Sequence, residues 1–295
     1  MALGQSGTWQ VQVPGGALLD TRASSSQGLQ EAINFAANLG LGLEVIGGSY
    51  NKSKPGPLAF EHMTISCRAT IDVPPIENAH WDINGVVIDF PEPISGPAIR
   101  FDSMLHSSLN FRCAVHYRGT APMFHVNPRT GPTPLFVDNK LFISRLRARG
   151  GADIDGIRLD GAPQRNCFEI IEIEGDRTLQ SSPLARGVVM ASDGRANRIS
   201  VQALLGAHVY GIDADRGEGN HYAAHIEPHG PLTGGGVRAA GFGDIWTLDI
   251  ADVLNPGPGI VIALGAASNI FLVSRNLENP PVIDAALSGS GNRFI

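Results

Sequence analysis

Charged residues are scarce in this chain of 295 residues, at 17%. So small a share suits many short strands and tight turns rather than long surface helices. No block of like charge stands out and the net charge is −6, so the basic footprint of a nucleic-acid binder is missing. Cysteine is rarer still: Cys67, Cys113 and Cys167 are far apart, odd in number and without a CxxC pair. That pattern excludes a disulfide framework and a zinc site, and leaves three small buried residues. No run approaches the ~18 apolar residues of a membrane span, so no membrane insertion is expected. The opening residues Met1-Ala2-Leu3-Gly4 show neither the basic nor the apolar region of a secretory leader. No cofactor or metal motif is present. What is abundant is glycine (36), proline (20) and apolar residues (43%), enough for a sizeable core with frequent turns.

Repeats supply the organisation. A first motif, Ala98-Ile99-Arg100-Phe101-Asp102, returns at 134–138, 156–160, 187–191, 211–215, 236–240 and 259–263, with a weaker copy at 281–284. A second motif begins at Asn139, Asn166, Asn197, Asn220, Asp244, Asn269 and Asn292, spaced by 27, 31, 23, 24, 25 and 23 residues. That period is one turn of a three-strand coil. Strands alternate faces with period two. The inward positions of the first motif are then Ile99/Phe101, Leu135/Val137, Ile157/Leu159, Val188/Met190, Ile212/Ala214, Val237/Ala239 and Ile260/Ile262. The second motif turns in Leu141/Ile143, Phe168/Ile170, Ile199/Val201, Tyr222/Ala224, Trp246/Leu248 and Phe271/Val273. The asparagines form a structural column, because Asn tolerates a left-handed backbone and can bond to its copy in the next turn. A β-sandwich gives no such column, and a propeller blade is longer than these spacings.

Residues 26–40 read as an amphipathic helix, with Ser26 as cap and Gly40 as stop. A helix there can cover the open end of the coil. The expected fold class is all-β: a single-stranded right-handed parallel β-helix with an N-terminal capping α-helix. Residues 1–50 form the cap and 51–295 one continuous coil, beginning with irregular turns that include 63–67 and 85–89. The segment Leu29-Gln30-Glu31-Ala32-Ile33, followed by Val45-Ile46-Gly47-Gly48-Ser49-Tyr50, resembles the capping helix and first strand of the pectin-lyase-like β-helix superfamily. Its phage tailspike and inulin-fructotransferase-like members are the nearest in pattern. The resemblance implies the fold but not the function, since that superfamily holds polysaccharide lyases, glycoside hydrolases, fructotransferases, spikes and non-catalytic adhesins. The Asp-Asp and Gly-His-Gly signatures of polygalacturonase-like enzymes are missing here, and no calcium-binding acid cluster of pectate lyases is recognisable.

Chemistry is expected on the outward side of the first motif. One column reads Arg100, Phe136, Arg158, Val189, Asp213, Arg238, Val261; the other reads Asp102, Asp138, Asp160, Ala191, Asp215, Ala240, Ala263. Asp160 and Asp215, two turns apart, are separated by roughly 9–10 Å, and Asp213 and Asp215 by roughly 6–7 Å. Glycosidases place their carboxylates ~5 Å apart for retention and ~6.5–9.5 Å apart for inversion. Asp160, Asp213 and Asp215 are therefore the catalytic candidates. Arg100, Asp138, Arg158, Glu218, His221 and Arg238 are the candidates for holding substrate, with His225 and His229 beside the Asp213–His221 cluster. The competing reading makes these acids and arginines a solvated or interfacial surface. Glu169, Glu172 and Glu174 read as solvated. Toward the C-terminus the outer positions Ile245, Val261, Ala263, Ile270 and Leu272 turn apolar, which marks an interface. The expected partners are a polysaccharide or oligosaccharide and two further copies of this chain, in a homotrimer. The expected setting is a virion surface or the extracellular space. A spike that binds and depolymerises a glycan, a carbohydrate-active enzyme proper, and a non-catalytic adhesive module are the three readings.

Overall fold

In this computed structural model both motifs are strands, and each strand pairs in parallel with its own copy one turn away. The structure describes residues 24–46, 63–128, 135–151, 153–176, 183–227, 235–251, 259–274 and 290–295, with short strands at 2–3, 9–12, 18–19 and 282–284. The result is a right-handed parallel β-helix of about seven turns with a helix near its N-terminal end. Among the described residues, no helix is long and apolar enough to cross a membrane.

Two long sheets and a narrow corner make the coil. The asparagine-led sheet stacks Leu43–Ile46, His80–Asp89, Ser108–Gly119, Lys140–Gly151, Cys167–Gly175, Arg198–Leu205, His221–Glu227, Ile245–Ile250, Ile270–Ser274 and Arg293–Phe294. Met63–Ser66 pairs beside Leu43–Ile46 on the second half of His80–Asp89. The short-strand sheet stacks Ile71–Val73, Ile99–Phe101, Phe124–Val126, Ile154–Leu159, Leu184–Met190, Tyr210–Ala214, Gly235–Ala239, Ile260–Ile262 and Val282–Asp284. The corner runs through Ile76–Glu77, Met104–Leu105, Phe136–Val137, Gly194–Arg195 and Gly217–Glu218, joined by single bridges at Gln164, Phe242 and Ala267.

One repeat copy is corrected by this topology. Phe136–Val137 belongs to the corner, pairing with Met104–Leu105, and Phe136 is fully buried. The short strand of that turn is Phe124–Val126, which registers with Ile99–Phe101 on one side and Ile157–Leu159 on the other. Leu135 is half-buried and is not an inward core position. The full first-motif copies from 156–160 to 259–263 end four to six residues before the ladder asparagine or Asp244 that follows, whereas Asp138 directly precedes Asn139. Alternation alone could not separate a two-residue corner strand from a short-sheet strand.

The asparagine column is buried and ordered as a ladder. Asn139, Asn166 and Asn197 each donate an Nδ2 proton to Oδ1 of the next asparagine at 3.0 Å. The same oxygen accepts the preceding asparagine's backbone N–H. Each Nδ2 also donates to a corner carbonyl: Asn139 to Met104, Asn166 to Phe136, Asn197 to Pro163 and Asn220 to Gly194. Ser107 heads the ladder, its N–H donating to Asn139 Oδ1. Each side-chain and backbone N–H of these four asparagines that faces the ladder is thus satisfied by a neighbouring turn, which locks register along the coil.

The inward positions of both sheets merge into one apolar core. Near the C-terminal end the core is an aromatic stack, with ring centroids 4.2 Å apart for Tyr222–Trp246, 5.9 Å for Trp246–Phe271 and 4.9 Å for Phe271–Phe294. At the other end, Leu29–Leu39 is helical and buries Leu29, Ala32, Ile33 and Ala36. Ser26 caps it from two residues outside: Gly28 takes the N-cap position, and Ser26 Oγ accepts the Gln30 N–H at 2.9 Å. Gly40 ends the helix in the left-handed conformation, φ 62°. Cys67 and Cys113 are buried and unpaired, their thiols pushed up to about 12 by burial; Cys167 is half-buried.

Candidate functional site

The outward face of the short-strand sheet carries two side-chain columns. The first reads Asp72, Arg100, His125, Arg158, Val189, Asp213, Arg238 and Val261, directly in register. The second reads Asp102, Asn127, Asp160, Ala191, Asp215, Ala240 and Ala263, each tied by its N–H to the preceding turn. His125 and Asn127 therefore stand where Phe136 and Asp138 were expected.

From His125 to Asp215 the polar side chains of this face and its neighbours form one connected chain. His125 Nε2 lies 2.7 Å from Asp160 Oδ2, which also accepts from Arg158 Nε at 3.2 Å. Arg158 reaches Asp155 at 3.6 Å. Arg186 grips Asp155 with two bonds of 2.7 and 2.9 Å, and Asp213 with a third of 3.2 Å. Arg238 then joins Asp213 at 2.6 Å to Asp215 at 3.1 Å. The His125 hydrogen bond and the neighbouring Arg158 hold the Asp160 carboxyl below the usual carboxylate range, against the opposing effect of burial. Asp160 is therefore an acceptor or a base at neutral pH. Asp213 differs: its side chain is only 4% exposed and both oxygens are engaged by guanidiniums.

Beside this chain lies an open cleft of about 400 Å³, lined by Asp72, Val73, Pro74, Pro75, Arg100, Asp102 and Asn127. Its apolar wall is two prolines; its polar wall is one arginine, two carboxylates and an amide. Arg100 pairs with Asp72 at 2.7 Å. Asn127, at the edge of the cleft, is one turn from Asp160, about 4.8 Å by strand spacing.

No protein-family model, curated protein or solved structure matches this chain.

Six of the nine expected site residues share this face: Arg100, Arg158, Asp160, Asp213, Asp215 and Arg238. Asp138 sits at the corner, with φ 56°, gripped by Arg165 through two bonds of 2.7 Å. Glu218 is on the same corner, 3.8 Å from Arg195. His221 opens a strand of the asparagine-led sheet and contacts Thr247 at 3.5 Å. His225, on that sheet, is held between Asp249 at 2.9 Å and Glu227 at 3.1 Å; His229 lies outside the described residues. Glu169, Glu172 and Glu174 line up with Lys140, Arg145 and Arg147 as ion pairs along the same sheet. Among the described residues, no three His, Cys, Asp or Glu side chains are placed to hold a metal ion.

Five polar contributors were not legible as site residues: Asp72, His125, Asn127, Asp155 and Arg186. For His125 and Asn127 the signal was Phe124-His125-Val126, an apolar–polar–apolar strand at the missing place in the period. Arg186 precedes its motif copy, and only the fold brings it against Asp155 and Asp213.

Proposed function

We propose that this protein is a carbohydrate-binding β-helix of the pectin-lyase-like kind, holding an extended polysaccharide along the outer face of its short-strand sheet. The observation that carries this reading is the cleft over Asp72, Arg100, Asp102 and Asn127, continuous with the column that leads to Asp160. Pro74 and Pro75 offer an apolar wall to a sugar ring, while the carboxylates, amide and guanidinium suit its hydroxyls. Charge supports a class of glycan. On this face Asp72, Asp102, Asp155, Asp160, Asp213 and Asp215 outnumber Arg100, Arg158, Arg186 and Arg238, and each of these arginines already has a carboxylate within salt-bridge distance. A uronate or sulfated chain would meet no uncommitted arginine here and a surplus of acid, so the ligand is a neutral or amino-sugar polysaccharide.

Calorimetry with neutral, amino-sugar and uronic-acid oligosaccharides tests both parts. Binding of the first or second, weakened about tenfold or more by Asp102→Ala or Asn127→Ala, is the expected outcome. Preference for the uronic series, or indifference to both substitutions, would sink the reading.

A second reading adds cleavage. Asp102 and Asp160 flank Asn127 two turns apart, roughly 9–10 Å by strand spacing, close to the ~6.5–9.5 Å of inverting glycosidases. Asp160 and Asp215 repeat that separation. New reducing ends, lost in Asp160→Asn, would support it; an intact bound glycan would leave binding alone. A homotrimeric spike on a virion surface or outside the cell belongs to the same proposal. Its support is the exposure of apolar side chains toward the C-terminal turns, Phe242, Ile245, Leu264 and Leu272.

A further inference from the structure

Asp244 is the one carboxylate among the described members of the asparagine ladder, and its surroundings are those of an amide. Its Oδ1 accepts from Asn220 N at 2.7 Å and Asn220 Nδ2 at 3.2 Å, as asparagine Oδ1 atoms do on other turns. Its own N–H donates to Asn269 Oδ1 at 2.8 Å. Its Oδ2 is buried without a hydrogen-bond partner. That atom stands where each asparagine carries Nδ2: a Cβ added at Gly241 would overlap Asp244 Oδ2, as one added at Gly217 would overlap Asn220 Nδ2. On other turns Nδ2 donates to the next Oδ1 and to a corner carbonyl. By the same register, Asp244 Oδ2 is directed at Asn269 Oδ1 and the Gly217 carbonyl, both acceptors.

We propose that Asp244 is built into the ladder as the neutral carboxylic acid, donating its Oδ2 proton to one of those acceptors, which makes this joint of the coil pH-sensitive. Ionisation releases the proton to solvent and leaves a buried anion against oxygen lone pairs, with no cation among the described residues to offset it. The groups around it are Asn220 and Asn269 from adjacent turns, Gly217 and Gly241 from the corner, and Tyr222 in the core. Of these only Tyr222 titrates, and its hydroxyl is pushed well up, by burial first and by Asp244 second. Burial likewise pushes Asp244 up to about 6, against the lowering effect of the Asn220 bonds. A carboxyl raised in the folded state stabilises least when ionised, so stability falls as pH rises from about 4 through about 6.

Melting temperatures of the full chain and of Asp244→Asn between pH 4.5 and 8 test this. Asparagine supplies the missing donor at every pH. The variant is expected to melt several degrees higher at pH 8, with the gap shrinking toward pH 4.5. A gap that does not change with pH, or a less stable variant at pH 8, would overturn the proposal. So would a variant that fails to fold, because asparagine is the residue of the neighbouring turns. Infrared spectra of the unaltered protein give a second readout. A carboxylic-acid C=O band present at pH 5 and gone by pH 8 is expected, and its absence at pH 5 would refute a protonated Asp244.

Discussion

Asp213 and Asp160 are both acids on the same sheet face, yet their surroundings divide their roles. Asp213 is almost fully buried between Arg186 and Arg238, so its charge is offset but not open to a ligand. Removing one member of a buried pair strands its partners' charge, which typically costs several kcal/mol. Asp213→Ala is expected to destabilise by about 3 kcal/mol, read as a shift in denaturant midpoint, and to leave glycan affinity changed only through folding. Asp160 is more open, and His125 sets its titration. In His125→Ala the Asp160 carboxyl is expected to titrate at higher pH, followed by NMR of the side-chain carbon. An unchanged titration would remove His125 from the site.

At the scale of elements, the close stacking of the short-strand sheet depends on a column of glycines. A Cβ at Gly187 would strike Leu204 and the Gly211 carbonyl; one at Gly211 would strike Ile226 at 2.7 Å and the Gly236 carbonyl at 2.8 Å. Backbone cannot yield there without parting two turns. Gly211→Ala is expected to cost about 1–3 kcal/mol, measured by chemical unfolding. The asparagine-led sheet also carries two histidines with opposed behaviour. His225 is raised by its hydrogen bonds to Glu227 and then Asp249, so it stabilises below its unfolded value near 6.5 and the gain is lost as pH rises through the raised value. His116 is lowered to about 4, by burial first and then by Arg149, Arg147 and Arg145. Its neutral form is favoured, so stability is lost as pH falls from about 6.5 toward 4. His225→Gln is expected to flatten the neutral limb of a stability–pH profile and His116→Gln the acid limb. Because His116 and Asp244 act with opposite sign between pH 4 and 6, the difference between Asp244→Asn and the unaltered protein isolates the ladder.

For the whole molecule, Leu29–Leu39 packs its buried face at the N-terminal turns of the described coil. Toward the C-terminal turns Phe242 and Leu264 are exposed, in keeping with association of copies. Sedimentation is expected to give a trimer for the unaltered chain and a smaller species for Leu264→Glu. A monomer at all concentrations would end the oligomer proposal. The coil itself was legible in the sequence, because a three-strand turn repeats both the period-two alternation and the buried asparagine at each copy. Short local rules were enough for that, as they were for Gly40 ending the helix. They failed at 134–138, where a corner strand imitates a sheet strand, and so misplaced Asp138 and hid His125. The tertiary structure alone decided which polar side chains meet, because contacts such as Arg186 with Asp155 and Asp213 join residues about a turn or more apart in sequence, and register across turns leaves no mark on any one of them.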